Sequence, residues 1–249
     1  MTVEVYLTAR AFGEDDLKGK TALVVDVLRA STTIVTALNN GARAIVPVAD
    51  MAEAGKMAAN LDPDSLILAG ERGGVRIEGY HAGNSPAEFT EEAVRDKTII
   101  LNTTNGTLAL HGARNAAKLA IGSFPNATRA AEFLAESDDV VIICGGSDGR
   151  IALEDVLCAG FMVHYLTQNR NLSSLSDAAQ MTLTQYRADA RRIPQAVRKA
   201  DHARRLIGLG FDNDITDCVQ LDTIPVLPIF KESRLVLERQ TPAKQAAAA

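Results

Sequence analysis

The sequence has few cysteines and no arrangement of them. Cys144, Cys158 and Cys218 are three, far apart, and without Cys-x-x-Cys or Cys/His ligand spacing, which argues against a disulfide framework and a structural zinc site. No apolar run approaches the roughly 18 residues of a membrane-spanning helix, and the opening MTVEVYLTAR reads as a first strand rather than a charged-then-apolar leader. Basic blocks are missing too: 26 Lys and Arg face 31 Asp and Glu, a net charge of −5, so nothing here follows a nucleic-acid backbone or an anionic membrane surface. Internal repeats are also lacking. These absences describe a soluble, cytoplasmic protein without nucleic-acid or membrane partners.

What remains is apolar material and punctuation. With 47% hydrophobic residues over 249 positions, the chain can bury a large core as one α/β domain or as two intimate lobes of about 1–150 and 151–240. Short β-branched runs alternate with amphipathic segments, the pattern of βα units on a largely parallel or mixed sheet inside a three-layer α/β/α fold. The runs are VEVYL from Val3, TALVVDV from Thr21, RAIVPV from Arg43, SLILA from Ser65, KTIIL from Lys97, KLAIG from Lys118 and DVVIIC from Asp139. Asp50 with Glu53 makes a capping box, and Asn40-Gly41 a helix stop. From about Leu153 to Leu209 the chain reads as mostly helical. TIPVLPIF and RLVLE close it as strands, with Pro225 and Pro228 favouring a sheet edge, and residues 243–249 form a frayed tail.

Open α/β sheets bind ligands at the carboxyl ends of their strands, and five strands here end in polar, small-residue loops. The first holds Asp26, Arg29, Ser31, Thr32 and Thr33 around one helix start, an anion-binding arrangement; strand termination and capping explain it about equally well. Glu71 and Arg72 stand among glycines in the second, and Asn84 precedes Pro86 in the third. The fourth, Asn102 to Thr107, offers Thr103, Thr104, Asn105, Gly106 and Thr107, many donors and no carboxylate. The fifth is CGGSDGR, followed by Glu154 and Asp155. Together the loops outline one donor-rich pocket with carboxylates Asp26, Glu71 and Asp155 available to a hard cation.

Competing readings attach to the fifth loop. Cys144 and Arg150 have the spacing of a cysteine phosphatase, but Asp148 inside the loop would repel both thiolate and phosphate. Gly145-Gly146-x-x-Gly149 is a partial dinucleotide fingerprint with no acidic ribose partner. A non-catalytic anion binder would need the donors but not the acids. His111, His164 and His202 read as packing or surface residues, Arg187 to Arg205 as a solvated helix face, and Asp214 to Cys218 as either a helix start or a late contribution to the site.

In this order, DVLRASTTI, GERGG, GNSP, NTTNGT and LEDVLCAG resemble the 2-phosphosulfolactate phosphatases over most of the chain. The resemblance implies a cytoplasmic α/β/α enzyme that hydrolyses 2-phospho-3-sulfolactate to 3-sulfolactate and phosphate with Mg²⁺, a step of coenzyme M biosynthesis in methanogens. It implies catalytic roles for Asp26, Glu71 and Asp155, metal contacts from Asp26, Glu71, Glu154 and Asp155, and substrate contacts from Arg29, Ser31, Thr32, Thr33, Arg72, Asn84 and Thr103 to Thr107. An acidic residue is expected where His81 stands, which bears on a metal or water contact and on substrate preference. Apolar helices leave room for a homo-oligomer.

Overall fold

Central strands that bury both faces need an apolar residue at every position, and TALVV and DVVIIC supply one nearly throughout. In the computed structural model, which describes residues 1–238, both runs are strands. The chain begins β1 Thr2–Tyr6, β2 Thr21–Val25, α1 Ala30–Asn39, β3 Ala44–Pro47, α2 Met51–Ala58, β4 Leu66–Arg72, β5 Val75–Arg76 and α3 Glu91–Val94. It continues β6 Thr98–Asn102, α4 Gly106–Ala113, β7 Lys118–Gly122, α5 Ala127–Ala135, β8 Asp139–Cys144, α6 Leu153–Asn169 and β9 Ser174–Leu175. The last part is α7 Asp177–Asp189, α8 Ile193–Val197, α9 Asp201–Gly208, α10 Asp212–Cys218, β10 Pro228–Lys231 and β11 Arg234–Leu237. Half of the expected capping box forms: Glu53 N–H donates to Asp50 Oδ1 at 2.8 Å, but the Glu53 carboxylate accepts Ala49 N–H at 2.7 Å rather than the N–H of Asp50 itself. The tail at 243–249 lies outside the described residues.

The strands join one mixed sheet in the order β5-β4-β6-β3-β11-β10-β7-β2-β8-β1-β9. Two parallel blocks, β4-β6-β3 and β7-β2-β8-β1-β9, are bridged by the antiparallel hairpin β10–β11. This corrects the expectation that the closing strands lie at a sheet edge. The hairpin sits in the interior of the sheet, and of TIPVLPIF only its last three residues, from Pro228, are strand. Proline is tolerated there because Pro228 is the first residue of β10 and the ladder to β7 is registered at Ile229 with Ala120, so the missing N–H interrupts no central pairing. The true edges, β5 and β9, are two-residue strands, too short to template another chain.

Alternation along β2 assigns the layers. Leu23 and Val25 join α5, α6 and α7 through Leu134, Met162 and Leu183 on one face, while Ala22 and Val24 join α1 and α4 through Ile34, Leu38 and Leu110 on the other. Ile45 and Ile99 of the second block belong to that same inner cluster, and α2 covers the block's far side through Ala54. The result is an α/β/α sandwich. On a flat sheet the ends of β2 and β6, five places apart, would lie roughly 24 Å from each other. The sheet instead curls around α1 and α4, which brings those ends to one cavity. No helix among the described residues is long and apolar enough to cross a membrane.

Candidate active site

Loops leaving β2, β4, β6 and β8 converge where α1 and α4 begin. Their approach depends on a missing side chain: a Cβ on Gly106 would lie 2.6 Å from Ala30 Cβ and 3.0 Å from Asp26 Oδ2, distances that real atoms do not tolerate. The convergence encloses a cavity of about 20 Å³ lined by the expected residues Asp26, Arg29, Glu71, Asn84, Thr103, Thr104 and Asn105.

Glu71, Asp26 and Arg29 are each held by specific partners. Glu71 is buried, and its two carboxylate oxygens accept Thr104 N–H and Gly74 N–H, both at 2.8 Å. It thereby ties the loop after β4 to the loop after β6. Asp26 accepts Ala30 N–H at 3.3 Å at the start of α1. Burial, with Glu71's charge adding to it and His202 opposing, pushes the Asp26 carboxyl up to about 7. Arg29 is almost wholly buried: Nη1 donates to Asp214 Oδ2 at 2.8 Å, Nη2 donates to the Gly74 carbonyl at 2.7 Å, and the guanidinium lies 4.2 Å from the Phe211 ring centroid. Ser85 Oγ donates to the other Asp214 oxygen at 2.7 Å. Asn84 presents an amide oxygen that is buried and has no hydrogen-bond partner.

Other expected residues support the cavity from behind without lining it. Ser31 Oγ accepts Asp26 N–H, Thr32 Oγ1 donates to the Val27 carbonyl, and Thr33 Oγ1 donates to the Asn84 carbonyl. Thr107 bonds to Thr103 through both its amide and its hydroxyl. Arg72 turns to Asn102 Oδ1 and to the Glu71 carbonyl. Asp155 accepts Val27 N–H at 2.8 Å and Gly146 N–H at 2.9 Å, so it clamps the β2 loop to the β8 loop. Burial first, then the charges of Asp26 and Glu154, raise its pKa well above the carboxylate range against those two amides. Glu154 is fully buried with Oε1 3.1 Å from His202 Nδ1 and Oε2 without a partner.

Ser147 and Asp148 of the expected fifth loop also line the cavity, together with His202 and Arg205, which were not expected there. Burial pulls the His202 pKa down, but the hydrogen bond and charge of Glu154 outweigh it and the net shift is upward. His202, expected as a packing or surface residue, packs against Glu154 and also lines the cavity, and Arg205 lines it from the exposed helix face that was expected. The signal was the spacing of His202, Arg205 and Leu206 on one face of α9, which looks the same whether that face meets water or a site. His81 is remote from the cavity, its Nδ1 accepting Leu68 N–H at 2.9 Å.

Cys144 is completely buried, burial and the charge of Asp155 raise its thiol well above its ordinary value, and it does not line the cavity. A reactive thiolate needs the opposite environment. Cys144→Ala is therefore expected to keep turnover within about threefold of the parent, measured as phosphate release; a loss of several orders of magnitude, toward the ~10⁶-fold of a deleted nucleophile, would restore the cysteine reading.

Two carboxylates, a buried guanidinium and a hydroxyl-rich turn at strand ends suit a phosphate ester, and comparison with known proteins gives the class as phosphoric monoester hydrolases. The chain belongs to the 2-phosphosulpholactate phosphatase family, whose model matches residues 6–233. It is 41% identical over 215 residues to a "Probable 2-phosphosulfolactate phosphatase" of Pseudothermotoga lettingae, covering 86% of this chain and 91% of that protein. Proteins of the same name from Clostridium novyi and Clostridium beijerinckii are 37% identical over 231 residues and 36% over 240. Those matches cover 92% of this chain and 97% of the relative in the first case, and 96% and 100% in the second.

Proposed function

We propose that this protein hydrolyses 2-phospho-3-sulfolactate to 3-sulfolactate and inorganic phosphate in the cytoplasm, with Mg²⁺ as cofactor. The observation that carries the reading is the joint placement of Asp26, Glu71 and Arg29 around one cavity capped by the Thr103–Thr104–Asn105 turn. Among the described residues no group of three or more His, Cys, Asp or Glu side chains is placed to hold a metal ion. Magnesium does not require one, because it takes one or two carboxylates and completes its shell with water and substrate phosphate. Asp26, Glu71 and the unpartnered amide oxygen of Asn84 fit that demand.

When bound, the ion would neutralise charge on the phosphoryl group. Arg29, held in place by Asp214, adds fixed positive charge beside it, and the threonine-rich turn orients the ester. Glu71 is the rigid anchor, locked by two backbone amides. Asp26 has the freer carboxylate and a pKa near neutrality, which suits it to orient the attacking water. His202, held through Nδ1 by Glu154, leaves Nε2 for a proton to the departing alkoxide. Asp155 is a positioning residue, since it does not line the cavity and both its oxygens accept backbone amides of the loops that do.

Phosphate release from 2-phosphosulfolactate with and without Mg²⁺ tests the whole reading. Chelation with verified metal removal is expected to abolish turnover, and added Mg²⁺ to restore it. Unchanged turnover after metal removal would sink the magnesium assignment, and absence of release in any condition would sink the substrate.

A further inference from the structure

The inner cavity, about 20 Å³, has room for little more than one water. Beside it lies an outer hollow of about 580 Å³. Ser147, Asp148, His202 and Arg205 line both and form the partition between them. Arg205 spans it: Nη1 donates to Asp148 Oδ2 at 2.8 Å, and a Cβ on Gly73, at φ +64°, would lie 3.1 Å from Nη2. The guanidinium thus reaches from the loop after β8 to the loop after β4. Asp148 is anchored by its own backbone, in the left-handed region at φ 51° with its N–H donated to Asn105 Oδ1 at 3.3 Å. Both side chains of the ion pair are well exposed, 43% and 59%, so water competes for each charge and the pair is easily exchanged.

Charge is distributed unevenly across this partition. Inside, Arg29 is already paired with Asp214, and Asp26 and Glu71 are available to a cation. Outside, the acids of the hollow, Asp148, Glu154 and Asp201, are paired with Arg205, His202 and Arg204, whereas Arg150 and Lys199 line it exposed and without an ion pair among the described residues. A substrate with one phosphate and a second strong anion a few bonds away would find its second counter-charge only at and beyond Arg205.

We propose that Arg205 is a specificity residue: in the free enzyme it is held on Asp148 across the partition between the two spaces, and it exchanges that carboxylate for the substrate's second anion, a sulfonate or carboxylate, when the phosphate enters. No covalent bond changes in this exchange; Asp148 is released to solvent, and Arg150 and Lys199 hold the anionic arm from the outer side. This rests on the phosphatase reading above.

The test compares 2-phosphosulfolactate with p-nitrophenyl phosphate, whose arm is uncharged, on the full chain. For Arg205→Gln, kcat/KM on phosphosulfolactate is expected to fall about 10–100-fold, mostly through KM, as for loss of a hydrogen bond to a charged group. The fall on p-nitrophenyl phosphate should be at least tenfold smaller, and Arg205→Lys should recover part of the loss. Asp148→Asn removes the competing carboxylate and should lower KM for phosphosulfolactate. Melting curves matching the parent show that both variants are folded. Equal losses on the two substrates, or a raised KM in Asp148→Asn, would overturn the assignment while leaving the phosphatase reading intact. A parent enzyme that releases no phosphate from phosphosulfolactate overturns that reading, and this one with it.

Discussion

Asp26→Asn is expected to abolish turnover and, above pH 7 in the presence of chelator, to raise the melting temperature. Activity falls because the carboxylate beside the phosphate site is lost, on the order of 10²–10⁴-fold if it acts as base or water-orienting group. Stability rises for a different reason. Burial foremost, helped by Glu71, lifts the folded-state pKa of Asp26 from 3.8 to about 7, so the native state prefers the protonated form. Its contribution is fully present below the unfolded value and is lost as pH climbs from about 4 through about 7. At pH 8 the metal-free protein carries an ionised carboxylate where its own fold disfavours one. Asparagine is neutral at every pH, has nearly the same shape, and can still accept the Ala30 amide. The relief is on the order of a few kcal/mol at ~1.4 kcal/mol per pKa unit, several degrees for a chain this size. Magnesium should raise the melting temperature of the parent and leave that of the variant nearly unchanged. Identical melts of the two proteins at pH 8 without metal would show that the carboxylate is not strained by its surroundings.

That tension between stability and function also explains which parts of the site the sequence made legible. Asp26, Glu71 and Thr103 were legible because each lies where an apolar run gives way to a polar loop, and the carboxyl ends of parallel strands are where such folds place ligands; Asn84 was legible as an amide just before Pro86 at a helix start. Position along the strand carried the information. His202 and Arg205 gave no such cue, because the face of α9 that bears them has the same pattern whether it meets water or a cavity. Asp214 is 185 residues from Arg29, and only the folded chain shows which guanidinium it neutralises. The central hairpin was misplaced for a related reason: the proline rule is local, whereas a strand's rank in the sheet is decided by what must bridge the two parallel blocks. The Cys144 to Arg150 spacing misled because it counts residues and ignores direction. Cys144 points into the core, while Arg150 is exposed at the rim of the outer hollow.

The second large effect is expected at Arg29 and Asp214, whose side chains are 2% and 5% exposed. Removing either partner alone leaves an uncompensated buried charge, which costs about 3–5 kcal/mol. Arg29→Met and Asp214→Leu should therefore each lower the melting temperature by roughly 10 °C or more. The loss should be larger for Arg29→Met, which also forfeits the bond to the Gly74 carbonyl and the contact with Phe211. In the double variant most of that stability should return, because an apolar pair of similar volume is often as good as a buried ion pair. Activity should not return with it. Arg29 lines the cavity, and on the proposed reading its charge would act beside the phosphate even though Asp214 balances it, since a fixed, pre-paired guanidinium needs no reorganisation when the transition state forms. Melting curves and kcat/KM on the two single variants and the double variant separate the roles. If Asp214→Leu alone melts with the parent, the buried pair is not what holds the first loop in place. A double variant that regains turnover along with stability would reduce Arg29 to a structural latch, leaving Mg²⁺ and the threonine-rich turn to bind the phosphate.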